Sequence, residues 1–161
     1  RLVFAIGDDG KLALAVCAVQ SMPFYLVTHK ANIKSIADFT ETDKIALPAV
    51  KVAAQAICLQ MAAAKLWGIE NYAKLDPLTI SRAHPDSATA IMSKSTEITG
   101  HYAASPFYQL ELADKSNRAI LRSYDTFGGS KTNGILLMTK AFHDANPKVT
   151  AAVYAALTEA N

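Results

Sequence analysis

Residues Ser35 to Gly68 read SIADFTETDKIALPAVKVAAQAICLQMAAAKLWG, and this stretch decides the fold. Asp43-Lys44-Ile45-Ala46-Leu47 has the length and content of a buried strand, and Pro48 stops it. An Ala-rich run from Val52 to Trp67 then predicts a helix, with Gly68 where a C-terminal capping glycine belongs. A strand feeding a helix through a short turn leaves the first N–H groups of the helix unpaired at the C-terminal edge of the strand. Those donors and the positive end of the helix dipole favour an anion or a polar ligand atom. The turn holds neither GxxxxGK[ST] nor GxGxxG, which argues against a nucleoside triphosphate or a dinucleotide.

The same alternation continues on both sides. Arg1–Ile6 reads as a strand or a helix end, 7–10 as a turn, and Lys11–Val19 and Phe24–Thr28 as strands. Asn32–Phe39 reads as a short helical turn with Asp38 exposed. Leu78–Ser81 is a predicted strand; the segment Arg82–Asp86 then opens a helix through about Ser93, with Pro85 in its first turn and Ala88, Ile91 and Met92 on one face. Glu97–Ala103 is a strand, and Ser105-Pro106 starts a helix carrying Phe107, Leu110 and Leu112. A strand at Ala119–Tyr124, a Gly128-Gly129 turn and a strand at Gly134–Met138 follow. Two helices close the chain, at Lys140–Asn146 and from Pro147, the second with Val149, Ala152, Val153, Ala156 and Leu157 at helical spacing. Such alternation predicts an α/β architecture with a largely parallel sheet.

Composition narrows the function. A chain of 161 residues can bury its own core, and 51% hydrophobic with 19% charged residues is a folded rather than a disordered composition. A net charge of +2 with scattered basic residues argues against nucleic acid. Cys17 and Cys58 lie in apolar runs and read first as free, buried thiols, with a disulfide between them as the open alternative. Cys58, mid-helix, reads as packing rather than a nucleophile. His29, His84, His101 and His143 form no HxH or HExxH pair, so no metal site is predicted, and no GxSxG elbow is present. No signal peptide or membrane-spanning run occurs; the chain opens at Arg1 and reads as a processed or incomplete piece of a longer precursor.

Candidate ligand contacts gather at the helix starts. Lys51 is either a solvated turn lysine or a counter-charge for an anion, and Gln55 lies one turn further on. Ser105 reads as an N-cap whose hydroxyl can also face a ligand. His84, before Pro85, either orders its turn or donates to a ligand at the sheet edge. Trp67 reads as core, and Phe107 as core near enough to a helix start to line a pocket.

Four segments in this order, SMPFYLVTHK, SIADFTETDKIALPAVKVAAQA, LDPLTISRAHPDSATAIMSKSTEITGHYAASPF and LRSYDTFGGSKTNGILLMTKAFHDANPKVTAAVYAALTEA, carry a resemblance. From about Ala18 to its end the chain resembles the solute-binding proteins of ABC importers, in the branch for nitrate, sulfonates, taurine and related compounds. The resemblance implies a two-lobed periplasmic-binding-protein-like fold that closes on a small, anionic organic solute by hinge motion. Residues 1–29 would be hinge-crossing strands and part of one lobe, 30–120 the second lobe, and 121–161 the return with C-terminal helices. Only one lobe would be complete in this chain. Ligand-facing places carried over are Ser21 and Met22, the 49–53 turn with Lys51, Val52 and Ala53, the 105–107 stretch with Ser105 and Phe107, and the 129–132 turn with Gly129 and Thr132. Ala53 stands where a hydroxyl residue is common, and Ser105 and Ser130 where the family tends to show Pro. The resemblance further implies a monomeric, non-enzymatic receptor with no cofactor, periplasmic or lipid-anchored outside the cytoplasm, that delivers its solute to an inner-membrane ABC permease. Sulfinate desulfinases and thiamine-pyrimidine synthases resemble the same family, so an enzyme on this scaffold is the alternative; the effector domain of a transcriptional regulator, which shares the two-lobed plan, is a third reading.

Overall fold

The computed structural model describes residues 4–6, 12–21 and 23–160. The chain divides into two compact units, one made of Arg1–Ser21 and Thr132–Asn161, the other of Met22–Lys131. The turn expected at 7–10 and the candidate Met22 lie outside the described residues.

The larger unit is built on β3 (Tyr25–Thr28), β4 (Ile45–Leu47), β5 (Thr79–Ser81), β6 (Gly100–Ala103) and β7 (Arg118–Arg122), arranged in the order β5-β4-β6-β3-β7. Strand β4 pairs in parallel with β5 and with β6, whereas β3 is antiparallel to β6 and β7. Four strands therefore share one direction, as the alternating pattern predicts, and β3 alone is reversed. Helix α1 (Ala54–Trp67) covers one face, and α2 (His84–Met92) and α3 (Phe107–Ala113) the other.

The pleat sorts the core between these faces. Leu26, Ile45, Leu47 and Tyr102 join Cys58 and Leu59 of α1 in the larger cluster, while their neighbours Val27 and Ala46 join Ala90 and Ile91 of α2 in the smaller. Sheets covered on both sides need such continuous apolar strands. Gly100 allows the 36–39 segment to pack onto the sheet, because a Cβ there would meet the Phe39 ring at 2.9 Å. Gly100→Ala should therefore cost roughly 1–3 kcal/mol in urea unfolding, as overpacking does; a neutral result would show that the ring yields freely.

Several boundaries differ from expectation for local reasons. Helix α1 starts at Ala54 rather than Val52, because Lys51 turns through the left-handed region (φ 66). Strand β7 ends at Arg122 instead of Tyr124, and the short helix α4 (Ser123–Phe127) follows, closed by Gly128 at φ 78. The buried Ser123 hydroxyl accepts the Phe24 N–H at 2.9 Å, which ends the strand there. Asp38, expected exposed, is half-buried: its carboxylate accepts the Lys34 and Ser35 N–H groups in a capping box. Met92 and Leu110, expected on buried faces, are exposed.

The smaller unit is an antiparallel sheet of β1 (Phe4–Ile6), β2 (Leu12–Gln20) and β8 (Gly134–Thr139), with helices α5 (Lys140–Ala145) and α6 (Pro147–Glu159). The hairpin register of β2 and β8 runs from Ala13↔Thr139 to Gln20↔Gly134, with irregularities between Ala15 and Cys17 and between Ala18 and Gln20. Helix α6 forms as its spacing predicts, yet Val149, Val153 and Tyr154 are exposed and none of its residues is buried. Cys17 is half-buried rather than buried.

Candidate functional site

The three neighbouring strands β5, β4 and β6 are parallel and end at Ser81, Leu47 and Ala103. Helices α2, α1 and α3 each start within a few residues of those ends. The loops are laced together, since Arg82 N–H donates to Leu47 O at 2.8 Å and Val50 N–H to Ser81 Oγ at 3.1 Å. Neither Ala53 nor Ala83, the N-cap residues of α1 and α2, provides a side-chain cap. The first-turn amides of both helices are thus left for solvent or a ligand.

Side chains from the three helix starts meet here. Gln55, the second residue of α1, is buried and places Nε2 3.4 Å from His84 Nε2 at the first residue of α2. The Phe107 ring, first in α3, stacks on His84 with centroids 5.5 Å apart and planes 21° from parallel. On its inner side, His84 Nδ1 lies 2.7 Å from His101 Nε2 in β6. His101 Nδ1 in turn contacts Glu111 Oε1 of α3, and both of these side chains are fully buried. Glu111 Oε2 has no hydrogen-bond partner among the described residues. Burial, then the neighbouring His101, push His84 down to about 4, so this ring is neutral near pH 7.

Of the predicted contacts, Gln55 and Phe107 come together, both against His84. Ala53 is half-buried at the N-cap, while Lys51 and Val52 are exposed on the turn before it, Val52 at 77%. Ser105 is not the N-cap of α3: that position is Pro106, and Ser105 Oγ instead accepts from Gln109 Nε2 at 2.9 Å. Gly129 (φ 140) donates its N–H to Tyr124 O at 2.8 Å in the larger unit. Ser21 and Thr132 are exposed residues of the smaller unit.

Sequence reasoning missed His101 and Glu111. A histidine inside the short apolar strand Gly100–Ala103 was the one available signal, because a polar ring buried on both sides demands partners. Glu111 carried no such signal, since the spacing favoured Leu110 as the inward residue. A cavity of about 520 Å³ lined by Ile36, Phe39, Trp67, Lys74, Leu75 and Leu78 lies at the opposite ends of these strands. There the Lys74 ammonium sits 4.5 Å from the Trp67 ring centroid.

A sulfinate desulfinase, one of the two alternative enzymes, needs a reactive thiol. Cys58 is fully buried with Sγ 2.9 Å from Tyr102 Oη, and burial pushes its pKa up, away from the thiolate. In native protein at neutral pH, Cys58 should remain unlabelled by iodoacetamide over a period that fully alkylates the urea-unfolded chain. Labelling at the rate of a small free thiol would restore the nucleophile. Among the described residues no group of three or more His, Cys, Asp or Glu could hold a metal ion, and no helix is long and apolar enough to cross a membrane.

No protein-family model matches the chain, and no curated protein is similar to it in sequence. Solved structures are similar in fold. A protein of Bordetella bronchiseptica superposes with a TM-score of 0.67 at 22% identity, over 94% of this chain and 49% of its own. The periplasmic aliphatic sulphonate binding protein SsuA of Escherichia coli gives 0.64 at 17%, over 92% and 48%. A sulfonate ABC transporter's periplasmic sulfonate-binding protein, SsuA of Methylobacillus flagellatus, gives 0.56 at 20%, over 88% and 41%. The chain spans about half the length of these structures or less, and what it shares with them is the fold: an α/β chain with the architecture of part of a periplasmic sulfonate-binding protein.

Proposed function

We propose that the chain is part of the solute-binding receptor of an ABC importer, and that it takes a small anionic organic solute of the sulfonate, taurine or nitrate type. The observation that carries this reading is the meeting of Gln55, His84 and Phe107 where three parallel strands end, with the uncapped starts of α1 and α2 beside them. Ligands of α/β sheets bind at that edge. Each helix start contributes about 0.3–1 kcal/mol to an anion, and micromolar binding asks for about 8 kcal/mol in total. Lys51 adds an exposed positive charge next to α1, Gln55 and His84 add directional polar groups, and Phe107 adds an apolar wall. The other predicted contacts, Ser21, Met22, Val52, Ala53, Ser105, Gly129 and Thr132, belong to the same proposal.

In this reading the complete protein is a monomer in the periplasm, or lipid-anchored outside the cytoplasm, that closes on its solute by hinge motion. It hands that solute to an inner-membrane permease and performs no chemistry on it. The periplasmic sulfonate-binding proteins among the structural neighbours support the solute class. The burial of Cys58 weighs against the desulfinase alternative. Calorimetry on the complete protein tests the proposal with taurine, ethanesulfonate, nitrate, acetate and a pyrimidine. At least one of the anions should bind with micromolar affinity, and Lys51→Ala should weaken it by about two- to fivefold, the size of an exposed charge contact. Silence across the whole panel overturns the receptor reading.

A further inference from the structure

The chain Gln55–His84–His101–Glu111 runs from the helix-start edge to a fully buried carboxylate, and its hydrogen bonds can be satisfied in two directions. In the first, Gln55 Nε2–H donates to His84 Nε2, His84 Nδ1–H to His101 Nε2, and His101 Nδ1–H to Glu111 Oε1. Both rings are then neutral, Glu111 is anionic, and its Oε2 stays unpaired in the interior. An orphaned, buried anionic oxygen is costly.

The second direction holds one proton more. A proton arriving at His84 Nε2 lets the Nδ1 proton of His84 pass to His101 Nε2. The added charge then lies between the His101 ring and the Glu111 carboxylate, which removes the buried net charge. His84 ends neutral, as its low basicity requires, but with its outer nitrogen turned from acceptor into donor. Gln55 answers by presenting its amide oxygen or by releasing the ring. Phe107, stacked on His84, keeps the ring plane in place through the exchange.

We propose that this relay takes up one proton as an oxyanionic solute binds, so that His84 offers Nε2–H to the solute. The proposal rests on the receptor reading above and deepens it: the solute is an oxyanion taken together with a proton. The groups facing His84 are Gln55 from α1, His101 from β6, and Phe107 from α3, with Glu111 of α3 behind His101. The remaining charged side chains on this edge are Lys51 before α1 and Asp86 within α2, both exposed, and Arg82 before α2, half-buried and paired with Glu97 at 3.0 Å.

Nitrogen-15 spectra of the histidine rings test the relay in the native protein with no variant. Above the transition both His84 and His101 should carry their proton on Nδ1. On acidification, or on addition of ethanesulfonate at constant pH, His84 should switch to Nε2–H. A His84 that keeps its Nδ1–H between about pH 5 and pH 9, with and without ethanesulfonate, overturns the proposal. Calorimetry in two buffers of different ionisation enthalpy should show about one proton taken up per ethanesulfonate bound, with Kd weakening about tenfold per pH unit above the transition. Glu111→Gln should make Kd independent of pH. Binding of the wild type with a pH-independent Kd sinks the relay and leaves the receptor standing, whereas no binding by any of the five probes sinks the receptor and the coupling with it.

Discussion

Leu26→Ala lowers the unfolding free energy of the larger unit by about 3–5 kcal/mol, the range for a fully buried leucine whose site cannot collapse. Leu26 has no exposed surface and sits in β3 between its register partners Tyr102 and Leu121. Its strand is hydrogen-bonded on both edges, so the backbone cannot move in to fill the space that the side chain leaves. The effect is read from urea denaturation followed by Trp67 fluorescence, since Trp67 packs against the same cluster. The midpoint should fall with little change in slope. Leu66→Ala is the matched control: that side chain is 52% exposed on α1, and its loss should stay within about 0.5 kcal/mol. Equal effects for the two leucines would mean that the core does not hold the sheet as described.

The second large effect is a loss of stability in acid centred on Asp43. This carboxylate is buried, and burial by itself would raise its pKa. It is outweighed by the Lys30 ammonium at 2.7 Å, the Thr40 N–H and hydroxyl at 2.9 and 2.8 Å, and Thr99, which together hold Asp43 down at about 2. A carboxyl with an ordinary value of 3.8 unfolded and about 2 folded binds its proton more tightly in the unfolded chain. Stability from this group is therefore full above pH 3.8 and disappears as pH falls towards 2, by about 2–3 kcal/mol in all. Asp43→Asn should lose a similar amount at pH 7 and flatten the acid profile in this window. A wild-type stability that does not change between pH 4 and pH 2, once the exposed carboxylates are accounted for, would contradict the assignment.

Much of this fold is legible in sequence wherever chain-local physics decides. Leu47, Pro48 and Gly68 mark the end of β4 and of α1 because stop signals act within a residue or two. The reversed strand β3 is not legible. Residues 24–28 look like any apolar strand, and only pairing across the sheet sets their direction. Helix α4 hides for a similar reason: the Ser123 hydroxyl that ends β7 is answering a backbone amide 99 positions away. The site divides in the same manner. Gln55 and Phe107 follow from their positions at helix starts, whereas His101 and Glu111 acquire meaning only when β6 and α3 are packed together. The apolar stripe of α6 is correctly spaced but uncovered, so periodicity located the helix without locating its burial.

The pairing of Gln20 with Gly134 gives the chain an order of assembly. Seen from the smaller unit, β2 and β8 form a hairpin whose turn is the entire segment 22–131. Closing so long a loop in an unstructured chain carries a larger entropic penalty than closing a short one. Once the larger unit has formed, Phe24 and Ser123 are bonded side by side and that penalty has largely been met. During refolding, amides of the 23–131 segment should therefore gain hydrogen-exchange protection before those of the β2–β8 pairing; simultaneous protection would contradict this order.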